Sequence, residues 1–217
     1  MEIALFILEI IGVVSFTVSG NIVAIEKDVD VIGALVFALL TSFGGGMLRD
    51  IMLGTLPPNL LWNSEYLLME LICVGVTIAF FHLAFFKKFR TTIVRHKHDF
   101  WFDFTDSVGL AIFCVLGVNT ALEAGASGTL LLVFCGCITG VGGGMLRDIC
   151  TATIPRIFRK HVYLLPCILG ALFYVLTRDA IGQLVSLLIT LAFIITVRLL
   201  ACKYKWNLPR PSRRTPD

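Results

Sequence analysis

The chain has 217 residues, of which 57% are hydrophobic and only 15% charged, with a net charge of +3 and a mean hydropathy of +0.89. Soluble domains carry about 25% charged residues, so a water-soluble fold of this size could not bury so much apolar surface. The apolar runs are continuous rather than alternating, which excludes a transmembrane β-barrel and leaves an all-α, polytopic membrane protein. The seven cysteines form no CxxC pair and have no histidine at zinc spacing, so they read as small lipid- or core-facing residues.

Runs long enough to cross a bilayer predict seven transmembrane helices. In chain order they cover Ile3–Ile25, Val31–Leu53, Glu65–Phe86, Phe104–Leu122, Gly128–Ile149, Val162–Thr177 and Ala180–Leu200. Basic residues cluster in alternate connections: Lys87, Lys88, Arg90, Arg95 and Lys97 in the third, and Arg156, Arg159 and Lys160 in the fifth. The tail adds Lys203, Lys205, Arg210, Arg213 and Arg214. With Lys27 these all fall on one side of the membrane, and only Arg178 lies in an opposite connection. Positive residues stay in the cytoplasm, so the N-terminus is expected outside and the C-terminus inside.

The octapeptide GGGMLRDI occurs twice, at Gly44–Ile51 and at Gly142–Ile149. The likeness extends upstream, where Gly12, Phe16, Val18, Gly20, Ala24 and Glu26 match Gly109, Phe113, Val115, Gly117, Ala121 and Glu123 at a constant offset. Downstream, Thr55 and Pro57 match Thr153 and Pro155. Helices one to three therefore repeat as helices four to six. Three crossings is an odd number, so the second unit must enter the membrane upside down. The expected organisation is a first repeat over 1–88, a basic cytoplasmic linker over 89–103, an inverted repeat over 104–177, a seventh helix over 178–200 and a basic cytoplasmic tail over 201–217.

Gly44 lies roughly fourteen residues into its span, about 20 Å along a core about 30 Å thick. Gly142 lies at a similar depth from the other side. Three helical glycines cost about 2–3 kcal/mol of helix preference, so Gly44, Gly45, Gly46, Gly142, Gly143 and Gly144 predict a break or kink in each helix. Carbonyls freed there must face protein or water and would suit a cation or a zwitterion. Close helix packing is the competing reading. No GK[ST] follows either triplet, so a phosphate-binding loop is excluded.

Arg49-Asp50 and Arg147-Asp148 follow the triplets. Ionisable groups at this depth face a cavity or one another, so the pairs either line a pathway or clamp the two units together by cross-pairing. Thr41 and Thr139 sit at equivalent positions three residues before the triplets. With Asn21 and Asn119 they complete the expected pore-lining or gating set. Glu9 and Asp106 are expected at interfaces near span ends. No histidine–carboxylate cluster, nucleophile motif or cofactor fingerprint points to an enzyme.

The duplicated GGGMLRD, the three-plus-three helices and the seventh helix resemble the bacterial relatives of the trimeric intracellular cation (TRIC) channels, also described as bacterial glycine-transporter-domain proteins. The resemblance covers roughly residues 1–200. It implies a homotrimer in the bacterial cytoplasmic membrane, with a potassium-permeable pore in each protomer between helices two and five, kinked at Gly44–Gly46 and Gly142–Gly144. It implies no cofactor, potassium or sodium as the transported ion, and membrane lipids and further copies of the chain as partners, with no nucleic acid. A secondary carrier for glycine or a similar small zwitterion is the alternative. There, arginine would hold the carboxylate and aspartate the ammonium.

Overall fold

The computed structural model describes residues 2–62, 64–82, 98–159 and 162–206. Within them the chain is all helical: α1 (Glu2–Glu26), α2 (Val31–Leu53), α3 (Asn59–Trp62), α4 (Ser64–His82), α5 (His98–Glu123), α6 (Thr129–Cys150), α7 (Arg156–Arg159), α8 (Leu165–Ile181) and α9 (Gln183–Tyr204). Among the described residues, five helices are long and apolar enough to cross a membrane: α1, α2, α5, α6 and α9. The third and sixth expected spans are α4 and α8, of 19 and 17 residues.

The largest boundary shift is in the fourth span. It starts at His98, so 98–103 of the expected linker belongs to a helix. The seventh helix likewise starts at Gln183 and continues to Tyr204, into the expected tail. Residues 83–97 and 207–217, which carry most of the basic residues behind the expected orientation, lie outside the described residues.

Local chemistry sets the remaining ends. Asp30 accepts the Gly33 N–H at 2.8 Å and so caps α2 at its start. Gly54, at φ 72°, ends it in the left-handed region that glycine occupies without a Cβ penalty. Two short helices absent from the sequence expectation, α3 and α7, follow the prolines after each octapeptide, where a chain that cannot continue its helix turns back.

The centre is a pair of antiparallel crossings. In the first, the rings of Phe16 on α1 and Phe113 on α5 stack with centroids 5.2 Å apart. Each ring lies over the other helix's glycine, Phe113 on Gly12 and Phe16 on Gly109. In the second, α2 lies on α6. The Thr139 carbonyl presses on Gly45 and the Thr41 carbonyl on Gly143, a reciprocal pairing that only antiparallel helices give. Gly20 and Gly117 then seat α1 on α2 and α5 on α6, against the Phe37 and Cys135 carbonyls respectively. Outside this core, α4 packs on α1, α8 on α6, and α9 on α8 and α5.

Candidate functional site

The triplets do not break their helices. Both α2 and α6 run uninterrupted through them. In a bilayer an unpaired carbonyl is so unfavourable that the ladder persists in spite of glycine's weak propensity, and the expected freed carbonyls stay bonded. What the glycines provide instead is approach. A Cβ on Gly142 would meet the Gly45 Cα at 3.0 Å, and one on Gly44 would lie 3.5 Å from the Gly143 Cα. Backbones this close bring Cα–H groups onto carbonyl oxygens, contacts worth about 0.5–1 kcal/mol each. The Thr41 and Thr139 hydroxyls donate back to the Phe37 and Cys135 carbonyls, each at 2.6 Å.

The third glycine of each triplet does something different. A Cβ on Gly46 would meet nothing nearer than Arg49 Nη2 at 3.7 Å. On Gly144 the nearest atoms are Arg147 Nη2 and the Tyr163 hydroxyl, both at 3.5 Å. These positions make room for the arginine head one turn further along.

Each arginine bonds the aspartate beside it, not the aspartate of the other octapeptide. Arg49 Nε and Nη2 donate to Asp50 Oδ1 at 2.9 and 2.7 Å, and Arg147 Nε and Nη2 to Asp148 Oδ1 at 3.0 and 2.9 Å. The long arginine side chain folds back to reach its neighbour, which adjacent short side chains could not do. Each aspartate uses its second oxygen to accept the first N–H of a short helix. Asp50 Oδ2 takes Asn59 N at 2.9 Å and Asp148 Oδ2 takes Arg156 N at 3.0 Å. One carboxylate thus fixes the arginine and caps the turned-back helix. Asp50→Ala or Asp148→Ala should remove both and cost at least the roughly 1 kcal/mol of a lost cap, read as a lower thermal midpoint in detergent.

Beyond these shared features the two ends of the α2–α6 crossing diverge. At the Arg49 end lies a half-open cavity of about 570 Å³. Its wall carries Glu9, Arg49, Asp50 and Glu123, and Ser42, Gly46 and Thr139 bring it down to the crossing. Glu9 is half-buried and within electrostatic reach of both Arg49 and Glu123. Three carboxylates face one guanidinium, so the cavity is acidic.

At the Arg147 end the space is filled. Arg147 donates to Ser19 Oγ at 3.1 Å and to Asp106 Oδ1 at 3.5 Å. Asp106 also accepts the Tyr163 hydroxyl at 2.7 Å and pairs with Arg198 Nη2 at 3.9 Å. The Arg147 and Arg156 guanidinium groups lie 4.9 and 3.5 Å from the centre of the Phe102 ring, and Arg198 lies 4.2 Å from that of Tyr163. Asp103 pairs with Arg156 at 3.7 Å. Asp106 is therefore no interface residue at a span end, as the sequence suggested. It is fully buried at the hub of a charge network.

Asn21 and Asn119 do not join this site. Asn21 is buried and donates to its own helix at the Thr17 carbonyl, 3.0 Å away. Asn119 accepts from the Tyr174 hydroxyl at 2.8 Å and Gln183 Nε2 at 3.4 Å, tying α5 to α8 and α9. Conversely, Ser19, Phe102, Tyr163 and Arg198 were missed by sequence reasoning. So were the placement of Glu9 within electrostatic reach of Arg49 and the pairing of Asp106 with Arg147. One signal was available: Glu9 and Asp106 are related by the same offset as Gly12 and Gly109, so an acid recurs at matched positions in both units.

This is an all-helical, multi-pass membrane protein whose charged sites flank a glycine crossing. A family model described as glycine transporter matches it twice, over residues 6–82 and 103–179, and the chain belongs to that family. It is 32% identical over 215 residues to the UPF0126 inner membrane protein YadS of Escherichia coli (strain K12), covering 94% of each chain. It is 28% identical over 208 residues to the UPF0126 membrane protein YvgT of Bacillus subtilis (strain 168), covering 96% of each. Among solved structures it resembles the TRIC channel orthologue from Rhodobacter sphaeroides (TM-score 0.78, 29% identity, 93% of this chain and 98% of that one). It also resembles a prokaryotic TRIC channel in 0.5 M KCl (TM-score 0.77, 28% identity, 96% and 100%).

Proposed function

We propose that the chain is a cation channel, permeable to potassium, in the bacterial cytoplasmic membrane. The observation that carries this reading is the acidic cavity itself. A water-accessible recess with carboxylates in excess, set in a helical membrane protein and ending on the central crossing, concentrates cations and repels anions. The likeness to TRIC cation channels supports it. Ions enter beside Glu9 and Glu123, pass the Ser42 and Thr139 hydroxyls, and cross beside the contact of α2 with α6. The Asp50 carboxylate neutralises Arg49, whose charge would otherwise oppose entry. Potassium or sodium is the transported ion, and no cofactor takes part. The chain crosses the membrane seven times as two inverted three-helix units plus α9, N-terminus outside, and three copies assemble.

Glu9→Gln and Glu123→Gln together should lower potassium conductance several-fold at low ionic strength and little at molar salt, where the field is screened within about 3 Å. Single-channel recording across a salt series tests this. An equal loss at all salt concentrations would contradict the electrostatic role. A carrier for glycine is the second reading, favoured by the placement of a guanidinium and two free-facing carboxylates in one small cavity. In that case Arg49→Ala abolishes saturable uptake.

A further inference from the structure

Resting on the channel reading for its role in conduction, we infer that Arg198, on the helix outside the repeat, is the positioning residue that holds the Arg147 end of the pathway shut.

Glu9 and Asp106 occupy matched positions, as do Arg49 and Arg147, so the duplicated chain alone would build two similar ends. It builds unlike ones. The Arg49 end is a cavity of about 570 Å³, whereas at the other end Arg147 is 1% exposed, Asp106 0% and Arg198 2%. Several differences in side chains contribute: Phe102 stands where the first unit has Leu5, and Ser19 faces Arg147 where the matched residue on the other side is Leu116. Neither of these supplies charge, and Asp103 and Arg156, which stand where the first unit has Phe6 and Pro58, add an ion pair whose charges cancel.

The cation that balances the remaining carboxylate comes from α9, which has no counterpart in the first unit. It packs on α5 and α8 and delivers Arg198 to the Asp106 carboxylate and the Tyr163 ring. Asp106 can hold Arg147 on one oxygen because its other oxygen is fixed by Tyr163 and Arg198. Here three arginines, Arg147, Arg156 and Arg198, stand against three aspartates, Asp103, Asp106 and Asp148. A balanced network of this kind excludes water, while the acidic cavity opposite invites it. Removing Arg198 leaves Asp106 one cation short and frees it to turn, so Arg147 loses its seat and the end opens to water.

The test uses the full-length protein in liposomes with Ser19→Cys, a buried position next to Arg147. Labelling by a membrane-impermeant thiol reagent is quantified at the introduced thiol by peptide mass spectrometry. This needs no current and is insensitive to the native cysteines. Adding Arg198→Gln should speed labelling at least tenfold, and Arg198→Lys should restore the slow rate. Equal rates with and without Arg198→Gln overturn the inference, as does fast labelling in the Arg198→Lys protein. Should Arg198→Gln not fold, Tyr163→Phe removes the adjoining hydrogen bond. It is expected to give an intermediate rate, and an unchanged rate overturns the inference. Potassium current recorded from the unsubstituted protein in parallel liposomes judges the channel reading separately.

Discussion

Gly45→Ala and Gly143→Ala should each destabilise the protein strongly, whereas Gly46→Ala and Gly144→Ala, one residue away, should be neutral or stabilising. At Gly45 a Cβ would run into the Thr139 carbonyl, and at Gly143 into that of Thr41. Neither obstacle is a side chain that can swing aside, so the helices must separate, at a cost in the range of about 1–3 kcal/mol typical of overpacking or above it. At Gly46 and Gly144 the nearest atoms are side-chain tips at ordinary contact distances. There alanine gains up to about 1 kcal/mol of helix propensity. Thermal unfolding of the four variants in detergent reads the difference. Equal behaviour of Gly45→Ala and Gly46→Ala would remove the distinction drawn between packing and arginine-accommodating glycines. The same clash predicts that Gly45→Ala and Gly143→Ala behave alike, because their contacts with the Thr139 and Thr41 carbonyls mirror one another.

The matched acids should behave oppositely. Asp106→Asn withdraws the carboxylate that reaches both Arg147 and Arg198 in a fully buried setting. Stranding buried charge in this way costs about 3–5 kcal/mol, enough to abolish accumulation of folded protein. Glu9→Gln alters a half-buried side chain that opens on the cavity, where water compensates, so folding should be nearly unchanged and the effect should fall on conductance. Folded yield by size-exclusion chromatography together with single-channel current separates the two. A Glu9→Gln variant as unstable as Asp106→Asn would mean that the cavity is not a solvated space.

These contrasts show what the sequence could and could not convey. Hydropathy placed the long helices and, at α2, their ends, because the thickness of a bilayer fixes how long an apolar run must be. The duplicated octapeptide marked the glycines that meet at the central crossing, although they were read as breaks, and the meeting of helices two and five came from the family resemblance alone. Glycine is ambiguous, however: a helix break and a close backbone approach both demand that Cβ be absent. Only the reciprocal contacts of Gly45 with Thr139 and Gly143 with Thr41 identify the second. The partners of the arginines were obscure for another reason. Neighbouring residues on a helix point about 100° apart, so pairing within Arg49-Asp50 depends on the arginine side chain folding back, which spacing does not reveal. Arg198 read as a residue within or at the end of the last span, and nothing local tied it to an aspartate on α5. The asymmetry between the two ends therefore lay beyond the repeat pattern, which by its nature reports only what the halves share.

The central claim, that this protein passes cations through the acidic cavity, is tested most directly by purified protein in liposomes, with potassium flux and labelled glycine uptake measured in one preparation. The account predicts a potential-driven potassium flux far above carrier turnover, reduced by Glu9→Gln with Glu123→Gln, and no accumulation of glycine. Saturable glycine uptake without potassium conductance would contradict it, and would make Arg49 a ligand for the substrate carboxylate.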